Sequence, residues 1–114
     1  MPETIELTSY FNNEQFVFKT KQQIIKDFDR HGIHLREKIE ESTLPLSDLF
    51  LIMEEVLEQI YRKYPSKWSA LIYTIDIPEK EYRMLMQESD WKKTATAVIR
   101  REALKVYIRE FYSS

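Results

Sequence analysis

Arg101, Lys105 and Arg109 recur at i, i+4 and i+8, a spacing that lines one face of a helix with cations. Tyr112 and Thr94 fall near the same line, and Lys92, Lys93 and Arg100 add to the basic field. Such a stripe has the chemistry to contact phosphates, with tyrosine available to stack on bases. Two plainer readings compete with that one. Cations near a helix C-terminus stabilise the helix itself by about 0.3–1 kcal/mol each. The stripe can also meet acidic residues of the same chain or of a second copy. Charge is divided unevenly enough for this: residues 1–57 hold 6 basic and 11 acidic side chains, and residues 58–114 hold 11 and 8. The segment from Trp91 to Ser114 alone has 6 basic and 2 acidic residues. The whole chain has a net charge of −2, whereas nucleic-acid-binding domains are usually clearly basic.

Three other groupings hold reactive residue types. His31 and His34 flank Gly32, with Asp27 one turn earlier and Glu37 shortly after. Two imidazoles and a carboxylate are ligands for a divalent metal. A helix break at Gly32 would turn the pair apart, so a solvent-facing helix end is the expectation. Glu54, Glu55 and Glu58 could act as paired acids, but they lie opposite the apolar stripe of their helix and are expected to face water. Ser89-Asp90-Trp91-Lys92 matches S-x-x-K, with Ser47-Asp48 and Lys93-Thr94 echoing its companion motifs. Those companions require Asn and Gly that are missing here. An N-cap at Ser89 or Asp90 accounts for the same residues.

What is scarce narrows the field further. Gly32 is the only glycine, which excludes a P-loop or a dinucleotide fingerprint, since both need several. The chain has no cysteine, so disulfides, thiolate zinc sites and cysteine nucleophiles are absent. Met1-Pro2-Glu3 does not resemble the start of a secretory signal, and the most apolar stretch, Leu44 to Ile60, carries four acidic residues that a bilayer would reject. A cytoplasmic protein with no membrane association and no cofactor is expected. The 15 aromatic residues in 114 suit a small core, with some left for a surface that binds a partner.

The elements that position these residues are mostly helical. Residues 3–19 alternate in the manner of a β-hairpin turning at Asn12-Asn13, with Ile5, Leu7, Phe11, Phe16 and Phe18 on one face. A short helix over Glu3–Phe11 is the alternative. Thr20 to Gln23 reads as a capping box that opens a helix ending at Gly32. A short polar helix over about Leu35–Ser42 follows. The clearest helix runs from Ser47, as its cap, to about Tyr64, with Leu49, Met53, Val56, Ile60 and Tyr64 at helical spacing and Pro65 as its stop. Further helices are expected over Ser66–Ile75, after Pro78, and from Ser89 or Asp90 to Phe111. The last has Ala95, Ile99, Ala103, Val106 and Tyr107 as its stripe.

These expectations amount to one domain over residues 1–114: a mostly α, compact bundle of about five helices, with a short N-terminal β-hairpin or helix against it. With no reactive constellation, the expected role is a small non-enzymatic interaction module that self-associates or docks on another protein. The alternative is a nucleic-acid-binding module using Arg101, Lys105, Arg109 and Tyr112. No catalytic, cofactor or metal residue is assigned.

Overall fold

The computed structural model describes residues 8–41 and 43–112. Among them are a 3-10 turn at Thr8–Asn12 and six α-helices: α1 (Glu14–Asp29), α2 (Arg36–Ile39), α3 (Leu46–Lys63), α4 (Pro65–Ile75), α5 (Glu79–Glu88) and α6 (Trp91–Tyr112). No strand occurs among the described residues, and no helix is long and apolar enough to cross a membrane.

The expected N-terminal hairpin is therefore corrected to helix. Residues 3–7 lie outside the described residues. Beyond them, Asn13 is not a turn residue but the N-cap of α1, its Oδ1 accepting from the Gln15 and Phe16 amides at 2.9 and 3.0 Å. This satisfies two of the four amides that a helix start leaves open. Phe16, Thr20, Ile24 and Phe28 then form an i, i+4 line that is buried along its whole length. The alternation of Phe16 and Phe18 is incidental to that longer period. The capping box at Thr20 is corrected with it: Thr20 sits inside α1, and its hydroxyl donates to the Phe16 carbonyl at 2.9 Å.

Lys21, one position on, is also buried and extends its ammonium to the carbonyls of Glu41 and Leu44, at 2.9 and 3.3 Å. This ties the connection before α3 to α1. Burial lowers its pKa from the usual lysine value.

The end of α1 follows its sequence signal. Gly32 takes φ 74°, the left-handed region open to glycine at no steric cost. The Ile33 amide returns to the Phe28 carbonyl at 3.0 Å, and Ile33 packs on the core beside Phe28. The polar helix is only four residues, Arg36–Ile39, anchored by buried Ile39. α3 starts one residue before Ser47, with Pro45 at the N-cap and no side-chain cap bond. Its buried face is Leu49, Met53, Leu57 and Ile60, while Val56 is half-buried and Tyr64 exposed. Pro65 stops α3 by opening α4, the role proline fills best.

α6 is the central helix. It packs against α1, α3 and α4, and Thr94, Ala95, Ala97, Val98, Ile99, Glu102, Ala103 and Val106 are all buried. Burial on more than one side explains why its apolar residues do not form one clean stripe. Its small residues let neighbouring helices come close. The main core joins Ile24, Ile25 and Phe28 of α1 with the α3 face, with Trp68, Leu71 and Ile75 of α4, and with Ala95, Val98 and Ile99 of α6. A second cluster, Phe16 with Ala103 and Val106, continues it toward the end of α6. α5 is more peripheral, burying Leu85 alone and joined to α4 by a Trp68 Nε1 to Tyr82 hydroxyl bond of 2.8 Å.

Candidate functional site

The basic stripe of α6 is turned toward the chain's own oxygens. Lys105 lies at the seam where α6 meets α1 and the end of α4. Its Nζ donates to Asp27 Oδ2 at 2.6 Å and to the Thr74 carbonyl at 2.9 Å, and it stands 3.0 Å from Glu102 Oε1. Three oxygens surround an ammonium with three N–H donors, so a phosphate would have to displace one of them. Arg109 Nη1 donates to Gln23 Oε1 at 2.9 Å, and Gln23 Nε2 donates in turn to Asp27 Oδ1 at 3.2 Å. Arg101 Nη2 is 3.4 Å from Asp76 Oδ2. That carboxylate is largely exposed, so the pair contributes little.

The seam holds two buried carboxyl groups for one lysine. Asp27 is 2% exposed and Glu102 0%. Glu102 Oε1 is at ion-pair distance from Lys105 without the alignment of a hydrogen bond, and Oε2 also receives none. Burial pushes the Glu102 carboxyl up, and the hydrogen bond and charge of Asp27 push it further, to about 8 despite Lys105. A carboxyl raised this far favours its protonated form at neutral pH, the form able to donate to Asp27. Burial raises Asp27 too, but hydrogen bonds from Glu102, Lys105 and Gln23, with the Lys105 charge, hold it below the usual carboxylate range. Burial lowers Lys105, and the two carboxyl groups outweigh this to leave it above the usual lysine value. One low and one high carboxyl side by side is the pattern that like charges adopt when both cannot ionise.

Sequence reasoning used Asp27 only as a neighbour of His31 and passed over Glu102. A signal was present. Glu102 falls four residues after Val98 and four before Val106, a charged residue in an apolar line.

Tyr112 belongs to a different feature. The last turns of α6 join Tyr10 in a continuous aromatic face. Ring centroids are 5.3 Å apart for Tyr10–Tyr107, 5.7 Å for Tyr10–Phe111, 4.8 Å for Tyr107–Phe111 and 6.1 Å for Tyr107–Tyr112. These separations suit the tilted and edge contacts that aromatic pairs prefer. Tyr10 also meets Phe16 at 5.4 Å, which fastens the face to the second core cluster. Phe111 is nonetheless 57% exposed and Tyr112 64%. A shallow groove of about 260 Å³ lies beside them, with Asn13 and Gln15 along it and an ion pair between Lys19 and Glu110 at its rim. Tyr10 falls outside the hairpin face of Ile5, Leu7, Phe11, Phe16 and Phe18, so this grouping was not foreseen.

The remaining candidates do not converge. His31 Nε2 is bonded to the Thr74 hydroxyl at 2.6 Å and His34 Nδ1 to Asp29 Oδ1 at 2.9 Å. Among the described residues, no three His, Cys, Asp or Glu side chains gather as metal ligands. Glu58 pairs with Arg62 at 2.9 Å on the outside of α3. Ser89 ends α5 in the left-handed region at φ 53°, and Asp90 caps α6, its Oδ1 accepting from the Lys93 amide at 3.1 Å. Searches against protein-family models, curated proteins and solved structures find no match for this chain.

Proposed function

We propose that the protein is a small, non-enzymatic interaction module that self-associates through the aromatic face at the end of α6. The observation that carries this reading is the run Tyr10, Tyr107, Phe111 and Tyr112, rings in mutual contact whose outer members remain more than half exposed. Large aromatic residues left in water at one place are the usual anchors of protein interfaces. Lys19 and Glu110, paired with each other at the rim, are both partly exposed, a polar border of the kind that surrounds an apolar interface core.

The alternative, nucleic-acid binding through Arg101, Lys105 and Arg109, is weakened by the intrachain oxygens that already meet these cations. The lack of cysteine suits a reducing compartment, and we place the protein in the cytoplasm on that ground.

Light scattering across a concentration series at about 0.15 M salt, with the Debye length near 8 Å, tests the reading. The wild type is expected to shift from monomer toward dimer, and Phe111→Ser/Tyr112→Ser is expected to remain monomeric.

A further inference from the structure

The seam between α1 and α6 brings two carboxyl groups onto one lysine. α1 contributes Asp27 and the amide of Gln23, α4 contributes the Thr74 carbonyl, and α6 contributes Glu102, Lys105, Arg101 and Arg109. α3 meets α6 with the apolar Leu49, Met53, Leu57 and Ile60. Of the cations, Lys105 alone reaches both carboxyl groups. Arg109 engages Gln23, and Arg101 reaches outward to Asp76 while its Nε is buried without a partner. His31 lies one step away, beyond the Thr74 hydroxyl. With both carboxyl groups ionised, two negative charges would stand side by side with Lys105 as the one cation in direct contact with both, and Glu102 would have no hydrogen-bond donor among the described residues aligned on either oxygen.

We propose that Asp27, Glu102 and Lys105 form a pH-sensitive latch that holds the second half of α6 on α1 while Glu102 is protonated and loosens as that proton is lost. The geometry gives the direction. A neutral Glu102 donates to Asp27 and leaves Lys105 to balance a single carboxylate. An ionised Glu102 is a buried anion facing a second anion, a costly state that is relieved by letting water in. The segment released begins next to Glu102 and includes Ala103, Val106, Tyr107 and Phe111, so opening it takes apart the second core cluster and the aromatic face above it. The latch does not depend on what that face binds.

In the open state Glu102 regains its solvated pKa near 4.5, whereas in the closed state it sits at about 8. Opening therefore becomes easier as pH rises between those values and levels off above the higher one. The test is amide hydrogen exchange of the full chain, resolved by NMR, between about pH 5.5 and 8.5 in low urea. Corrected for intrinsic rates, amides over residues 103–112 are expected to exchange through an opening almost independent of urea. That opening is expected to grow about tenfold per pH unit and to flatten above about pH 8. In Glu102→Gln the same amides should open with no pH slope. The proposal is overturned if these amides share the urea dependence of the α3 core, or if the slope persists in the variant. Should Glu102→Gln fail to fold, the carboxyl ¹³C shift of Glu102 in the wild type decides. A midpoint within about one unit of 8 supports the latch, and a midpoint near the solvated value overturns it.

Discussion

At the scale of single residues, the most consequential side chain is Lys105, because it alone contacts both buried carboxyl groups and balances the ionised Asp27. Removing one partner of such a group leaves an uncompensated buried charge. Lys105→Ala is therefore expected to cost roughly 3 kcal/mol in urea unfolding. Arg101→Ala, whose partner Asp76 is exposed, is expected to cost less than about 1 kcal/mol. Similar losses in the two variants would contradict this placement. The two carboxyl groups give opposite pH dependences. Asp27, held low, contributes stability above its unfolded pKa near 3.8 that is lost as pH falls through the folded value. Glu102, raised to about 8, contributes stability that is complete below about 4.5 and lost as pH rises toward 8. Relative to Glu102→Gln, the wild type should lose up to roughly 1.4 kcal/mol of unfolding free energy per pH unit across that second window. Equal slopes in the two proteins would show that Glu102 titrates as an ordinary carboxyl.

The elements are best judged by their ends. α1 begins at Asn13, whose side chain satisfies two amides, so Asn13→Ala is expected to cost about 1 kcal/mol. Ser47 lies within α3 and caps nothing, so Ser47→Ala should fall within about 0.5 kcal/mol of the wild type. Thermal or urea unfolding of the two variants checks the pair, and a larger loss at Ser47 would restore the cap that the sequence suggested.

That reversal shows where local reading succeeds and fails. The stop at Gly32, the end of α3 at Pro65 and the spacing of Leu49, Met53 and Ile60 in α3 were legible because each depends on its own few residues. The start of α1 was misread because Phe16 and Phe18 satisfy a two-residue period, while Phe16 alone belongs to the buried helical line with Thr20, Ile24 and Phe28. Only packing of Phe16 against Ala103 and Val106, far along the chain, decides between them. The buried seam was hidden for the same reason. Asp27 and Glu102 lie 75 positions apart, and nothing local announces that they share a lysine.

At the scale of the molecule, α6 ties the two readings together. Its first half packs into the main core, its middle carries the buried carboxyl and the lysine, and its last turns present the aromatic face. The cations that made it resemble a phosphate-binding helix mainly serve contacts inside the chain. The large apolar side chains it leaves in water, Phe111 and Tyr112, are aromatic, and their cost in solvent is offset by covering them. Burying anchors of this kind contributes about 2 kcal/mol or more each in protein interfaces, so losing both should abolish association in the micromolar range.

The most direct measurement is light scattering of the wild type beside Phe111→Ser/Tyr112→Ser, over matched micromolar concentrations at neutral pH. The wild-type mass is expected to rise to that of a dimer while the folded variant stays at the monomer mass. A wild type that remains monomeric throughout, or a dimer that survives the double substitution, would contradict it.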